Sequence, residues 1–206
     1  MLIAIFAVIF AYLLGSISFA IIVSKLMGIG DPRTFGSGNP GATNVLRSGK
    51  KTAAALTLLG DALKGWLAVF LTDAFRQTFG FNDKVIAIVA VAVIIGHMYP
   101  VFFKFKGGKG VATAFGVILA LSWQTALICL LIWLIVAFGL KISSLAALIA
   151  SSLSPFIAYF FLSTPYLIAI TIIALLVLYR HKSNIKKLLH GKESKIGDKS
   201  SADKLP

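Results

Sequence analysis

Residues 111–140 read VATAFGVILALSWQTALICLLIWLIVAFGL, thirty residues without a charged side chain. A helix needs about 20 apolar residues to cross a hydrocarbon core of about 30 Å. The run is therefore too long for one plain span and short for two. The polar letters SWQT, residues 122–125, lie near its middle and favour a tight turn. We predict two spans here, near residues 111–123 and 125–140.

The whole chain has the composition of an integral membrane protein: 58% of its 206 residues are hydrophobic, and the mean hydropathy is +0.93. Five more apolar runs predict an all-α fold, a single bundle of seven transmembrane helices. These runs lie near residues 2–23, 52–72, 84–103, 142–162 and 165–180. We expect one domain, residues 1–180, followed by a basic cytoplasmic tail, residues 181–206. Because the N-terminus lacks the basic region of a signal peptide, the first helix is expected to be retained.

The net charge is +13, with twenty lysines and arginines against seven acidic residues. Nucleic acid is not an expected partner, because the basic residues lie in loops between apolar spans. With two crossings in residues 111–140, most of them fall on one side, which predicts an outside N-terminus and a cytoplasmic C-terminus. A single crossing would move the basic tail outside. The lone Cys129 and the scattered acidic residues predict no disulfide, no metal site and no cofactor.

The loop of residues 35–47 reads FGSGNPGATNVLR and lies between two apolar segments. Its glycines, Gly36, Gly38 and Gly41, allow backbone N–H groups to approach an anion closely. Arg47 adds a planar cationic fork. The spacing matches G-x-G-x-x-G, but the strand and βαβ unit of a dinucleotide site are missing from the pattern. We predict a phosphate cradle, and a flexible connector is the alternative.

A second loop, residues 104–113, reads KFKGGKGVAT. Gly107, Gly108 and Gly110 surround Lys109 immediately before a predicted helix. Free N–H groups and the positive dipole end at a helix start favour an anion, and Lys109 adds a full charge. No Ser or Thr follows the lysine, so this is not a Walker A loop. The alternative is a basic loop that only obeys the positive-inside rule.

Residues 181–185, HKSNI, follow the last predicted span. His181 and Asn184 are three apart and would share a face on a continued helix. The alternative is an interfacial histidine with a polar cap. Two glycine loops and this pentapeptide on one face of the membrane predict a site for two phosphate groups.

Asp61 and Lys64 lie three apart inside the second predicted span. An isolated charge near the membrane centre costs roughly 2.5–3.5 kcal/mol, so we expect a pair that faces the bundle interior. Two roles are open for this pair: stabilising the helix packing, or contacting the substrate. His97 precedes Pro100 at a helix end, where a structural hydrogen bond is expected rather than catalysis.

Three ordered segments carry a family resemblance: SGNPGATNVLR, GHMYPVFFKFKGGKGVAT and HKSNIKKLLHGKESKI, at residues 37–47, 96–113 and 181–196. They resemble the bacterial acyl-phosphate:glycerol-3-phosphate acyltransferases, and the similarity spans nearly the whole chain. The resemblance implies a seven-helix enzyme of the bacterial inner membrane with its active site facing the cytoplasm. Its substrates would be glycerol 3-phosphate and a fatty acyl phosphate. Its product would be lysophosphatidic acid, made in phospholipid biosynthesis.

The phosphate-cradle prediction and the resemblance together assign roles to individual residues. Catalytic roles are expected for Ser37, Arg47, Lys109, His181 and Asn184. Substrate binding is expected for Gly36, Gly38, Asn39, Gly41, Thr43, Asn44, Gly107, Gly108, Gly110 and Ser144, the last in competition with Ser143. Structural roles are expected for Asp61, Lys64, His97 and Glu193. The expected partners are the two substrates and membrane lipids, with no obligate protein partner evident.

The expected chemistry is direct acyl transfer, because no Ser-His-Asp arrangement points to an acyl-enzyme. An acyl phosphate already carries a good leaving group, which leaves positioning and oxyanion stabilisation to the protein. The proton acceptor is open between His181 and the donor's phosphate. No histidine is followed by Asp five positions later, as it is in acyl-CoA-dependent acyltransferases, although this does not exclude CoA as donor. The alternative function is a membrane transporter of an organic phosphate, which the one-sided loops and the lack of an internal repeat disfavour.

Overall fold

The computed structural model describes residues 1–196, and every secondary-structure element in that range is helical. The predicted all-α fold is confirmed for this part of the chain. The last ten residues of the predicted basic tail, 197–206, lie outside the described residues. The α-helices are α1 (Leu2–Gly15), α2 (Phe19–Leu26), α3 (Ala42–Leu46), α4 (Lys51–Ala74), α5 (Arg76–Phe79), α6 (Asp83–Met98), α7 (Val111–Leu121), α8 (Trp123–Leu140), α9 (Ser143–Ala158), α10 (Thr164–Arg180) and α11 (Lys182–Leu189). A short 3-10 helix, Val101–Phe103, follows α6.

Among the described residues, three helices are long and apolar enough to cross a membrane alone: α4, α6 with its 3-10 extension, and α8. Two bent pairs pass the same test together, α1 with α2 and α10 with α11, which raises the number to five. Helices α7 and α9 are apolar but shorter. Each predicted span therefore falls on one of these elements. The count of seven crossings and the orientation of the termini stay predictions.

The first predicted span, residues 2–23, is wrong as a single helix. It is two helices, α1 and α2, bent by 42° at a short break. The Ile17 carbonyl freed by this break accepts a 2.6 Å hydrogen bond from Lys64 Nζ on α4. A backbone group at membrane depth must find a partner inside the protein, and a buried lysine supplies it here. The break is thus stabilised by a residue 47 positions further along the chain.

A turn lies within residues 111–140 as predicted, two residues earlier than expected. Helix α7 ends at Leu121 and α8 begins at Trp123. Ser122 caps the new helix: its hydroxyl accepts from Thr125 N at 3.1 Å and from the Thr125 hydroxyl at 3.0 Å. A side-chain cap of this kind satisfies one of the free N–H groups at a helix start.

Close backbone packing sets the position of α7. A Cβ atom at Gly116 would overlap the Ala62 carbonyl oxygen of α4, and one at Gly65 of α4 would overlap the Thr113 carbonyl oxygen of α7. Small residues let helix backbones approach in this way when the surrounding solvent is lipid. Helix α6 packs against α1, α4 and α10. Lys109, just before α7, donates to Asn184 of α11, so the start of α7 lies at the end of the bundle where α10 finishes and α11 begins.

Candidate active site

A single cavity of about 360 Å³ is lined by residues from all three sequence clusters. Its charged and polar end carries the catalytic candidates together with neighbours from the first loop and the chain after α11. These lining residues are Ser37, Asn39, Gly41, Thr43, Asn44, Arg47, Lys109, Gly110, Ser144, His181, Asn184, Glu193 and Ser194. The cavity continues between the helices of the bundle along apolar side chains that include Leu58, Phe115, Ile118, Leu130, Trp133 and Ala150. It can hold a molecule with an anionic head and a hydrocarbon chain.

The first loop is folded around the buried side chain of Asn44. The amide oxygen of Asn44 accepts from Ser37 N at 2.8 Å, while its nitrogen donates to the carbonyls of Pro32 at 2.6 Å and Phe35 at 3.2 Å. Gly36 has φ +57°, and a Cβ atom there would overlap the Asn44 amide oxygen. Glycine is required at this turn because other residues rarely adopt a left-handed backbone. Asn44 therefore organises the loop as well as lining the cavity.

Arg47 lies at the end of the short α3 and reaches across the cavity mouth. Its Nη2 donates to the hydroxyl of Ser194, which lies in the chain after α11. The predicted binding residues Gly36 and Gly38 do not line the cavity, although Gly41 does. The glycines of the first loop thus differ in position, and only part of the predicted cradle faces the cavity.

Lys109 projects into the cavity from the loop before α7. Its Nζ donates to the amide oxygen of Asn184 on α11 at 2.5 Å. Burial lowers the pKa of Lys109 to about 8, and the nearby Glu193 carboxylate opposes that shift. The ammonium group is therefore charged at neutral pH and loses its proton readily above pH 8. Gly110 follows with φ +86° and starts α7.

Gly107 and Gly108 lie behind Lys109 and do not line the cavity. Their carbonyl oxygens accept hydrogen bonds from Arg180, at 2.8 Å for Gly107 and 3.2 Å for Gly108. On the other side, a Cβ atom at Gly107 would overlap the His97 carbonyl oxygen, and one at Gly108 would overlap the His97 ring. The missing side chains allow the loop to pack between His97 and Arg180.

His181 is 3% exposed and occupies the junction of α10 and α11. Its Nδ1 lies 2.8 Å from the Val177 carbonyl oxygen. A carbonyl only accepts, so Nδ1 carries the proton and Nε2 of the neutral ring is the acceptor. Burial is the main reason that the pKa of His181 is lowered to about 4. The imidazole is therefore neutral at physiological pH.

Asn184 and Glu193 connect the polar end of the cavity to α9. Asn184 Nδ2 donates to Glu193 Oε1 at 2.6 Å, and Ser144 Oγ donates to the same oxygen at 2.7 Å. Ser144 and Ser143 both line the cavity. Of these two serines, Ser144 is held by the carboxylate of Glu193. The hydrogen-bonded series Lys109–Asn184–Glu193–Ser144 runs from the loop before α7, through α11 and the chain that follows it, to α9.

The intramembrane charges form a cluster beside the cavity. Lys64 Nζ and Asp61 Oδ1 are 2.8 Å apart, with only 1% and 4% of these side chains exposed. His97 Nδ1 lies 3.6 Å from the same Asp61 oxygen. The expected pair that faces the bundle interior is therefore present. Asp61 and His97 line the cavity wall, while Lys64 turns away to the break between α1 and α2.

Sequence reasoning missed Arg180 and Ser194. Arg180 directly precedes His181, but the positive-inside rule already accounts for a basic residue at the end of a span. Its contact with residues 107–108 is visible only in three dimensions. Ser194 lies next to Glu193 within the third resembling segment, which was the available signal. Within residues 1–196, no group of three or more His, Cys, Asp or Glu side chains is arranged to hold a metal ion.

Comparison with known proteins gives the family. The chain matches the family described as glycerol-3-phosphate acyltransferase over residues 5–191. It is 64% identical over 194 residues to a glycerol-3-phosphate acyltransferase of Neisseria gonorrhoeae, covering 94% of this chain and 97% of that one. A relative with the same description from Paraburkholderia phymatum is 57% identical over 194 residues, covering 94% and 92%.

Two crystal structures share the fold. One is PlsY (YgiH), an integral membrane glycerol 3-phosphate acyltransferase, in its glycerol 3-phosphate form, with a TM-score of 0.87, 41% identity and 98% of each chain covered. The other is the lysophosphatidic acid form, with a TM-score of 0.86, 41% identity, and 94% and 95% of the two chains covered. The protein is thus an integral membrane protein of the same fold, and it belongs to the glycerol-3-phosphate acyltransferase family.

Proposed function

We propose that the protein transfers a fatty acyl group from an acyl phosphate to glycerol 3-phosphate, giving 1-acyl-glycerol 3-phosphate and phosphate. The observation that carries this proposal is the cavity, in which one end is polar and carries Arg47 and Lys109, while the rest is lined mainly by apolar side chains. Such a site fits a reaction between a small phosphorylated alcohol and a phosphorylated fatty chain. The family membership and the descriptions of the relatives support glycerol 3-phosphate as the acceptor.

Arg47 and Lys109 are the proposed ligands of the two phosphate groups. Both side chains line the polar end of the cavity and come from different elements, the end of α3 and the loop before α7. Arg47 offers a planar fork that matches phosphate oxygens, and Lys109 offers a point charge. Among the described acidic groups that line this end, Glu193 is bonded to Ser144 and Asn184 through one oxygen. Within residues 1–196 neither Arg47 nor Lys109 forms a salt bridge, so both charges are available to substrate.

The proposed reaction is a direct transfer in one complex of both substrates. The primary hydroxyl oxygen attacks the acyl carbon, the bond from that carbon to the phosphate oxygen breaks, and phosphate departs with the electron pair. Orientation of reacting groups supplies as much as about 7–11 kcal/mol in well-ordered cases. The first N–H groups of α7, next to Gly110, have no partners within that helix and suit the developing oxyanion.

His181 is proposed to orient the attacking hydroxyl. Its Nε2 is the acceptor nitrogen, because Nδ1 is bonded to the Val177 carbonyl. A general base works best with a pKa near the operating pH, whereas burial lowers that of His181 to about 4. We therefore assign the proton to the departing phosphate and the alignment of the hydroxyl to His181. The proposed proton acceptor is thus the donor's own phosphate rather than His181.

The proposed location is the bacterial inner membrane, with the polar end of the cavity facing the cytoplasm. The loops that carry Lys104, Lys106 and Lys141 lie at the same end of the bundle as the site, and these side chains are exposed. An excess of lysine and arginine marks cytoplasmic loops. A cytoplasmic site would receive both phosphorylated substrates without crossing the membrane.

The test is ester formation by the purified protein in detergent micelles, given glycerol 3-phosphate and palmitoyl phosphate. We expect 1-palmitoyl-glycerol 3-phosphate and phosphate in equal amounts, without any sealed compartment. The same assay with palmitoyl-CoA and palmitoyl-acyl carrier protein identifies the donor. Arg47→Ala should abolish turnover or raise KM, while Lys51→Ala, an exposed residue outside the cavity, should not. Binding of glycerol 3-phosphate without any ester would contradict the proposal and favour a transporter.

A further inference from the structure

Arg180 makes a pair of contacts that no catalytic role explains. Its Nη2 donates to the Gly107 carbonyl at 2.8 Å, and its Nε donates to the Gly108 carbonyl at 3.2 Å. Its guanidinium carbon lies 5.2 Å from the centre of the Tyr99 ring, within cation–π range. Arg180 does not line the cavity. It therefore acts on the backbone of the second loop and not on a bound substrate.

The opposite side of the same backbone is closed by His97. The Gly108 N–H donates to the His97 carbonyl at 3.2 Å, and the missing Cβ atoms of Gly107 and Gly108 leave room for His97 to pack there. His97 itself lies 3.6 Å from Asp61. The two glycines are thus held between α6 and the end of α10.

We propose that Arg180 is a positioning residue, which fixes the backbone of Gly107 and Gly108 so that Lys109 projects into the cavity. Consecutive glycines have the greatest backbone freedom of any residues, and ordering them requires a partner. Lysine adds a flexible four-carbon stem, so the start of that stem must be fixed if its ammonium is to meet a phosphate. The inference rests on the proposed role of Lys109 as a phosphate ligand.

The arrangement requires arginine and not merely a positive charge. A guanidinium donates from two nitrogens to two neighbouring carbonyls, whereas an ammonium is a point charge that lacks this planar fork. Arg180→Lys keeps the charge and loses the fork, and Arg180→Gln loses both. Lys182→Gln is the matched control, since it removes one charge two residues away from a side chain that is exposed and lies over Tyr179.

The first readout is the KM for glycerol 3-phosphate. We expect Arg180→Gln to raise it about ten- to a hundredfold, as a misplaced catalytic group does, and Arg180→Lys to restore only part of the loss. KM for palmitoyl phosphate and the affinity of Lys182→Gln for glycerol 3-phosphate should stay near wild type. Full rescue by Arg180→Lys would overturn the proposal, because charge alone would then suffice. If Arg180→Gln does not accumulate in the membrane, the KM of Arg180→Lys for glycerol 3-phosphate is compared with that of wild type instead.

The second readout is the pH profile. Burial is the main cause that lowers the pKa of Lys109; the Glu193 carboxylate opposes it, and the charges of Lys187, Arg47 and Arg180 lower it further. A loop released in Arg180→Gln would expose Lys109 to solvent and remove one repelling charge, so the alkaline limb of kcat/KM should move above pH 8. A limb that stays near pH 8 while KM rises would contradict positioning.

The deciding experiment is a double-mutant cycle on glycerol 3-phosphate binding, measured by calorimetry on purified variants so that turnover is not needed. If Arg180 acts through Lys109, Arg180→Gln weakens binding in wild type but adds little to Lys109→Ala. If the losses of binding free energy from Arg180→Gln and Lys109→Ala add fully, the positioning role of Arg180 is wrong, while the proposed role of Lys109 still stands. Unchanged binding by Lys109→Ala would instead overturn the proposed function of Lys109, so the two failures are distinguishable.

Discussion

Lys109 Nζ donates to the amide oxygen of Asn184 at 2.5 Å, across 75 residues of sequence. The bond joins the loop before α7 to the short helix after α10. Asn184 in turn donates a hydrogen bond to Glu193. The second loop and the segment after α10 therefore form one polar wall of the cavity, made by Lys109, Asn184 and Glu193. The first loop contacts the same polar wall through the hydrogen bond that Arg47 donates to Ser194.

Replacing Asn184 should remove the hydrogen bond that connects Lys109 to Glu193 through this residue. We expect Asn184→Ala to lower kcat/KM for glycerol 3-phosphate about ten- to a hundredfold, the range for a lost hydrogen bond to a charged group. Steady-state kinetics on the purified variant give the value. Ser183→Ala, its exposed neighbour outside the cavity, is the control and should retain wild-type rates. Wild-type kinetics for Asn184→Ala would remove this residue from the site.

The alkaline limb of the pH profile should report Lys109. The folded protein lowers the pKa of this lysine to about 8, so the group is cationic below that pH and neutral above it. We expect kcat/KM for glycerol 3-phosphate to fall as pH rises through 8, because kcat/KM follows the free enzyme. Lys109→Arg should lose this limb, since arginine stays charged. A limb at the same pH in Lys109→Arg would show that another group causes it.

Gly107 should not tolerate a side chain, because a Cβ atom there would overlap the His97 backbone carbonyl, and backbone cannot move aside cheaply. We expect Gly107→Ala to lose most activity by displacing the loop that carries Lys109. Gly139→Ala is the matched control: nothing lies within 4 Å of a Cβ there. It lies in α8, where alanine favours the helix by as much as about 1 kcal/mol. Equal activities of the two variants would argue against a tightly packed second loop.

The apolar part of the cavity should control which acyl chains are accepted. Ser154 lies on α9, is 3% exposed and lines the cavity. We expect Ser154→Leu to fill this space and shift the preference from palmitoyl phosphate toward shorter acyl phosphates. Ser152→Leu, the same change on the exposed face of the same helix, should keep the wild-type preference. An unchanged chain-length profile in Ser154→Leu would place the acyl chain elsewhere.

The buried pair Asp61 and Lys64 should matter for stability in a way that an exposed pair does not. Asp61→Asn leaves Lys64 without its counter-charge, which costs about 3–5 kcal/mol for a buried pair, and a double replacement by Asp61→Leu with Lys64→Met should cost less. Thermal unfolding in detergent measures both. Asp73→Asn, which breaks the partly exposed pair between Asp73 at the end of α4 and Arg76 at the start of α5, should cost about 1 kcal/mol or less. Similar losses for Asp61→Asn and Asp73→Asn would contradict the burial argument.

Local patterns predicted much of this molecule. The turn at Ser122 followed from a polar tetrapeptide in a run too long for one span, and the pairing of Asp61 with Lys64 followed from the cost of isolated charges in a membrane. Glycine-rich loops and the spacing of His181 and Asn184 pointed to the polar end of the cavity. These features depend on neighbours in sequence, which periodicity and composition record.

Long-range contacts were not predictable in the same way. The break between α1 and α2 falls at residues 16–18, SIS, inside an uncharged run long enough for one span, and the group that stabilises it, Lys64, comes from another helix. Gly107 and Gly108 looked like phosphate ligands, yet their backbone faces Arg180 and His97. Arg180 was not singled out because a basic residue at the end of a predicted span is already accounted for by the positive-inside rule.

Direct transfer between two substrates bound together is tested by a matrix of initial rates over both substrate concentrations. Direct transfer predicts double-reciprocal lines that intersect, because no product leaves before both substrates bind. Parallel lines are the kinetic sign of a covalent intermediate. Parallel lines, with an acyl group found on Ser37 by mass measurement of the quenched enzyme, would contradict the account.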